Sequence, residues 1–349
     1  MPTGAHAADV QHSNVTVSKG TTRTRLLCLG NPIVNRAYLG TQEEAESAGY
    51  ATLVDEQEMS SLLAGRACIT TSSGGSLLTT ALALGQSHVI TFTGALGDDS
   101  SAAFLRETAA NQGVILTPQV FPDERTAECA VLKFANGERS LYTSPSAAAL
   151  LGVDGLPDEA FDLLIMEGYT LQGKNGGDLL EWFVRSPSPW KILTLSAVEV
   201  AAEYAESIRA AASAARCTLF GTVEEAIALV TDLVDVRDDA ITAGDTESLA
   251  KALPDWEVVL TNGALPAWHA REGRSIASVS PHASTIGDRT GAGDHFLAGW
   301  LDATLEGASA HESLLRGHAF ASRAISGAAP RAQRMVPPQS VQIARKDHI

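Results

Sequence analysis

From Arg25 onward, short β-prone apolar runs alternate with Ala-rich stretches of helical length, and this alternation restricts the fold more than any other feature of the chain. Residues 26–30, 88–93, 162–166, 192–195, 217–220 and 258–261 read as strands with apolar side chains in succession, the pattern of parallel strands buried on both faces. Between them, residues 76–84, 100–112, 179–185, 201–215, 223–233 and 246–253 read as helices. Strands joined through helices imply right-handed crossovers and a sheet covered on both sides. The sequence predicts a doubly wound, mostly parallel α/β fold.

One region departs from the alternation. Residues 130–135 and 138–143 flank Asn136-Gly137, a pair that readily supplies the two positive φ angles of a type I′ hairpin turn. With residues 36–53 as a source of further strands, a small β lid is expected from 36–53 and 127–145, beyond the carboxyl ends of the main sheet, where such flaps close over substrates. No internal repeat or linker divides the chain, so one domain is expected over 25–338, between a disordered tail at 1–24 and a C-terminal tail at 339–349.

Composition bears on partners. The chain carries 25 Lys+Arg against 41 Asp+Glu, a formal charge of −16, and such a field repels polyanions, which argues against nucleic acid or an anionic membrane. The four cysteines are far apart and the nine histidines show no metal spacing, so buried thiols in a reducing compartment are expected. No apolar run reaches the ~18 residues of a membrane span, and residues 1–24 lack the apolar block of a signal peptide, which together predict a cytoplasmic protein.

Residues 286–299, Ile-Gly-Asp-Arg-Thr-Gly-Ala-Gly-Asp-His-Phe-Leu-Ala-Gly, carry the most chemistry. A strand, a turn at Gly291-Ala292-Gly293 and an apolar helix from Phe296 to Leu305 are expected. Small residues let backbone N–H groups converge, and the helix start adds unpaired donors and the positive end of its dipole, making an anion hole. Asp294 sits directly inside it. A carboxylate beside a phosphate cradle makes sense where a hydroxyl must lose its proton to attack that phosphate. Taken as a bare Gly-x-Gly-Asp, the same residues equally fit a tight connection followed by an N-cap.

The whole segment resembles the signature of the PfkB (ribokinase-like) carbohydrate and nucleoside kinases, Asp-x-Thr-Gly-Ala-Gly-Asp-x-Phe-x-x-Gly, met here by Asp288, Thr290, Gly291, Ala292, Gly293, Asp294, Phe296 and Gly299. From Leu26 onward the order of other segments is also similar: Gly30-Asn31-Pro32, Gly74-Gly75-Ser76, Gly97-Asp98-Asp99, Gly137-Glu138-Arg139 and Glu224-Glu225-Ala226, with Leu53-Val54-Asp55-Glu56 and Glu167-Gly168-Tyr169 resembling the adenosine-kinase-like branch. The resemblance implies a ribokinase-like, Rossmann-like core with a β lid and transfer of the γ-phosphoryl of ATP to a primary hydroxyl. Asp294 is then the general base, with Gly291, Ala292 and Gly293 around the transferring group. It further implies an acceptor side at Asn35, Gly74, Gly75 and Thr79, an ATP side at Thr222, Thr261, Gly263, Thr290 and His318, and Glu225 on Mg²⁺ through water. A monovalent cation and the choice between monomer and homodimer stay open.

The chain departs from the family at several of these places. Asn35 replaces an Asp that grips substrate hydroxyls, Thr79 and Thr222 each replace an Asn, Ser146 and Ala102 each replace a Gly, and Pro266 ends the Thr261-x-Gly263 run. Losing a charged acceptor forfeits a hydrogen bond of roughly 1.5–3 kcal/mol, which a different ligand tolerates. The expected partner is a small sugar or nucleoside, and the alternative is a related binding protein without catalysis. A dinucleotide oxidoreductase is disfavoured, because the glycine turn lies late in the chain. For His295, Asp98, Asp99 and Arg139 the functional readings compete with a sideways ring, helix-cap carboxylates and a solvent-facing cation.

Overall fold

The computed structural model describes residues 23–47, 51–215, 217–231, 233, 249, 251–252, 256–281, 290–326 and 333–335. Asp288, the strand expected before it, most of the helix expected at 246–253, residues 1–22 and the tail at 339–349 lie outside the described residues. In chain order the strands are β1 (Arg25–Leu29), β2 (Ile33–Leu39), β3 (Ala51–Leu53), β4 (Thr70–Gly74), β5 (Val89–Thr93), β6 (Ala95–Leu96), β7 (Val114–Leu116), β8 (Gln119–Val120) and β9 (Glu128–Lys133). They continue as β10 (Arg139–Ser144), β11 (Leu163–Glu167), β12 (Trp190–Thr194), β13 (Thr218–Thr222), β14 (Glu257–Asn262), β15 (Leu265–Arg271), β16 (Arg274–Val279) and β17 (Gln333–Met335). The α-helices are α1 (Gln42–Ser47), α2 (Glu56–Leu63), α3 (Ser76–Leu84), α4 (Ser100–Asn111), α5 (Gly176–Arg185), α6 (Val198–Glu203), α7 (Ala205–Ala215), α8 (Val223–Val230), α9 (Ala292–Leu305) and α10 (Ala310–Ile325).

A nine-stranded sheet in the order β16-β15-β14-β13-β12-β11-β1-β5-β7 forms the body. It is parallel from β14 through β7 and ends in the antiparallel strands β15 and β16. Alternation along β1 shows why the strand is apolar throughout. Leu26 and Cys28 enter one core with Leu77 and Leu84 of α3, Leu105 of α4, Phe296 and Trp300 of α9 and Leu314 of α10. Leu27 and Leu29 enter the other, with Phe183 of α5, Ile208 of α7 and Leu229 of α8. Each such large side chain, fully buried, contributes about 1.5–3 kcal/mol over its exposed state. The doubly wound expectation is met, with helices on both faces.

The second sheet runs β17-β4-β2-β9-β10-β3. Helix α2 covers one face, packing Met59 against Tyr38, Ala130, Leu132 and Phe134. Because side chains alternate across a strand, Asn35, one step out of phase with Tyr38 on β2, belongs to the opposite face. The lid is wider than residues 36–53 and 127–145, since β2 begins at Ile33 and Thr70–Gly74 and Gln333–Met335 add strands.

The structure corrects three local readings. The stretch at 201–215 is two helices, broken at Tyr204, whose N–H turns back to Ala202 and Val200 carbonyls; α6 packs on α8 while α7 packs on α5, and no Gly or Pro marks the break. At Asn136-Gly137 only Gly137 has a positive φ, 88°. Gly137 N–H donates to the Phe134 carbonyl and Phe134 N–H to that of Glu138, a three-residue loop with its glycine in the left-handed position instead of a type I′ turn. Two consecutive positive φ angles occur at Glu272 and Gly273, 52° and 70°, where β15 turns into β16. The third correction is that α9 begins at Ala292, ahead of Phe296, so Gly291 caps the helix and Ala292-Gly293 open its first turn. All four cysteines are free, Cys28, Cys129 and Cys217 buried and Cys68 half-buried.

Candidate active site

The N-terminus of α9 is built from residues that leave its donors open. Gly291 is the N-cap, in the left-handed region at φ 76°, and offers no side-chain cap. A Cβ added to Gly293 would meet none of the described residues within 4 Å. The first-turn N–H groups thus have no side-chain cap, the condition that suits a helix start to an anion. The helix is held from behind by Phe296, whose ring stacks on Phe220 of β13 at 6.3 Å and meets the edge of His318 at 5.0 Å.

Asp294 is the third residue of this helix, half-buried, and its Oδ1 accepts the Ser76 hydroxyl at 2.5 Å. Thr80 donates to the Asp294 carbonyl at 3.0 Å, which fastens α9 to α3. Burial pushes the Asp294 carboxyl up to about 7, assisted by the negative charge of Glu225 and opposed by the Ser76 hydrogen bond. Two more carboxyls share this condition. Glu167, at the carboxyl end of β11, is pushed up to about 7 by burial against the N–H groups of Asn31, Leu77 and Ser76. Glu225 on α8 is pushed up to about 7, again by burial first. An unpaired buried carboxylate is costly, and what acts on these three includes burial, backbone N–H groups, hydroxyls and neighbouring carboxylates, Glu199 and Glu224 beside Glu225 among them.

The acceptor-side residues lie together. Asn35 packs on Gly74, where an added Cβ would stand 2.4 Å from Asn35 Oδ1. Gly75 is at φ 90°, and a Cβ there would come within 2.1 Å of the Asn31 carbonyl oxygen. Thr79 turns its hydroxyl back to the Gly75 carbonyl at 3.0 Å, while its methyl lies toward Gly291. Thr222 and Glu225 form a reciprocal capping box at the start of α8. Thr261, next to last in β14, has its hydroxyl on the Gly221 carbonyl at 3.4 Å. Gly263 occupies the β14–β15 turn and Thr290 directly precedes Gly291, both exposed. His318 is in the core, its Nε2 paired with the Val279 carbonyl at 2.9 Å.

Of the remaining candidates His295 and Asp99 take the plainer roles, whereas Arg139 is half-buried with its Nε enclosed and does not simply face solvent. His295 turns its ring sideways to the Gly291 carbonyl of its own helix at 2.8 Å. Asp99 caps α4 through the Ala102 N–H at 2.8 Å and ties it to Thr126, and Asp98 is exposed. Arg139 opens β10 next to the lid hairpin. Sequence reasoning gave no role to Ser76 or Glu167; the available signals were a serine opening a helix after two glycines and an acid closing an apolar strand. Among the described residues no cluster of His, Cys, Asp and Glu would hold a metal by itself, and no helix is long and apolar enough to cross a membrane.

Comparison with known proteins identifies the fold. An adenosine kinase from Sinorhizobium meliloti superposes with a TM-score of 0.75 at 21% identity, over 87% of this chain and 94% of that one. A probable sugar kinase from Rhizobium etli CFN 42 gives 0.76 at 20%, over 87% and 94%. An adenosine kinase from Schistosoma mansoni, in complex with 2-fluoroadenosine, gives 0.73 at 18%, over 88% and 96%. No curated protein matches the sequence. The model of the pfkB family carbohydrate kinases matches residues 54–334, and with most of the chain inside that match, the chain belongs to the pfkB family of carbohydrate kinases.

Proposed function

We propose that this kinase moves the γ-phosphoryl group of ATP to a primary hydroxyl of a sugar or nucleoside, with Asp294 as general base. The observation that carries the reading is a half-buried carboxylate, its side chain bonded among the described residues to a hydroxyl, on the first turn of a helix whose N-terminus has no side-chain cap. A capping role alone does not account for it, because the Asp294 side chain is bonded to Ser76 of another helix. The similarity in fold to adenosine kinases and a sugar kinase supports the acceptor class.

In the reaction the acceptor O–H gives its proton to Asp294 as its oxygen bonds to the γ-phosphorus. The bond from that phosphorus to the bridging oxygen breaks and ADP leaves. The N–H groups of Gly291, Ala292 and Gly293 meet charge on the transferring group, an electrostatic contribution that such preorganised donors supply best away from water. Oxygen donors suit Mg²⁺, which keeps several of its waters, and the buried Glu225 would take one of them. When bound with the nucleotide, Mg²⁺ supplies positive charge to the phosphates.

The test is ADP release from MgATP across a panel of sugars, nucleosides and related alcohols. Asp294→Asn keeps the fold and lowers turnover by roughly 10²–10⁴-fold, the usual worth of a positioned base. Unchanged turnover in that variant would sink the mechanism. Saturable nucleotide binding without ADP release from any acceptor would establish the non-catalytic alternative.

A further inference from the structure

The two carboxylate oxygens of Asp294 are not equivalent. Oδ1 accepts the Ser76 hydroxyl, while Oδ2 lies on the side of the glycine turn, 3.5 Å from where a Cβ on Gly291 would stand. Ser76 is the first residue of α3, and its own position is fixed from the opposite side. The N-cap of that helix is Gly75, which the 2.1 Å approach of the Asn31 carbonyl forbids from carrying a side chain. A helix start without a side-chain cap leaves donors unpaired, and here the missing acceptor comes from another element. Glu167 of β11 accepts the Asn31 N–H at 2.8 Å, the Leu77 N–H at 3.4 Å and the Ser76 N–H. Ser76 is thus bonded at both ends, through its N–H to Glu167 and through its hydroxyl to Asp294.

We infer that Ser76 is a positioning residue for phosphoryl transfer, its hydroxyl fixing Oδ1 of Asp294 so that Oδ2 takes the acceptor's proton, with Glu167 holding Ser76 in place. The inference rests on the reading of Asp294 as the base. It has the logic of catalytic sites in which a base is oriented by a third group. Among the described residues the titratable groups around Asp294 are Glu225 of α8, Glu167 of β11, the Tyr169 phenol and His295 of its own helix. The Ser76 hydroxyl is the hydrogen-bond donor that opposes their effect on the carboxyl.

The experiment compares wild type, Ser76→Ala, Ser76→Thr and Asp294→Asn in two measurements. The first is ADP release from MgATP with adenosine and with ribose as acceptors. The second is a ¹³C carboxyl NMR titration of full-length protein labelled at Asp, the Asp294 signal being assigned by its loss in Asp294→Asn. Ser76→Ala is expected to lower kcat roughly 10- to 100-fold, the range that follows from losing a hydrogen bond to a charged group, with KM for both substrates within about threefold. Its Asp294 signal should titrate at higher pH, and Ser76→Thr, which keeps the hydroxyl, should restore both values. A Ser76→Ala enzyme with wild-type kcat, or an Asp294 midpoint that does not move, overturns the inference. If wild type releases no ADP with either acceptor while the midpoint still moves, the anchoring of Asp294 stands and the phosphoryl-transfer reading is what fails.

Discussion

Gly75 and Gly293 border the same site, yet their surroundings give opposite expectations for an added methyl. At Gly75 the φ of 90° and the Asn31 carbonyl leave no room, so Gly75→Ala should lower the unfolding midpoint and displace the start of α3. At Gly293 the backbone is helical and the space ahead is open, so Gly293→Ala should fold with wild-type stability and fail to turn over. The pair is read by thermal denaturation beside ADP release. A Gly293→Ala enzyme with full activity would show that the phosphates do not approach this turn. The carboxyl of Asp294 adds a pH dependence. Its value near 7 in the folded chain lies above the ordinary 3.8, so turnover should rise with pH through about 7, as the base loses its proton. The same shift acts on stability with the opposite sign. Protonated Asp294 is the form that the fold favours, so its contribution is fully present below about 4 and is lost as pH rises toward 7. Asp294→Asn should therefore have a higher Tm than wild type at pH 8, by a margin that narrows toward pH 5.

Helix α8 shows how an element places a functional side chain. Glu225 reaches back to the Thr222 N–H at 3.0 Å while Thr222 Oγ1 accepts the Glu225 N–H at 3.2 Å, so the capping box also fixes the carboxylate. Thr222→Ala should cost about 1 kcal/mol of stability by loss of an N-cap. Thr222→Ser should retain it, and chemical denaturation of both variants measures the difference. Where an element is governed by its own local chemistry, the sequence discloses it. Ser76–Leu84 was legible to the residue, and the alternation of strands and helices dictated the doubly wound core. Elements governed by distant partners were not legible. Nothing local marks the break at Tyr204, Gln333–Met335 becomes a strand only by pairing with Thr70–Gly74, and the Asn136-Gly137 signal gave a hairpin with a different turn. The same limit applies to the site. The Gly-Ala-Gly-Asp segment announced Asp294, whereas Ser76 and Glu167 lie 218 residues before it in the first case and on another strand in the second, and only the fold brings them together.

At the scale of the whole molecule, the global charge and the local site oppose each other. The chain carries −16, and three carboxyls near the cradle are already pushed toward neutrality by burial. A polyphosphate approaching this protein meets repulsion from the net field and, at short range, attraction from the α9 donors. A divalent cation changes the balance twice, since it lowers the charge of the nucleotide and provides a counter-charge to Glu225. ATP should accordingly bind weakly in EDTA and at least tenfold more tightly with millimolar Mg²⁺. Added salt should relieve the repulsion in the metal-free case, through screening over a Debye length of about 8 Å at physiological ionic strength. Because a ligand that binds only the folded state adds stability in proportion to the logarithm of its saturation, MgATP should raise Tm where ATP in EDTA scarcely does. Isothermal titration and thermal denaturation with and without Mg²⁺ measure both effects. Tight binding of ATP in EDTA would mean that basic side chains, and not backbone donors with a metal, hold the phosphates, and would move the nucleotide away from Gly291–Gly293.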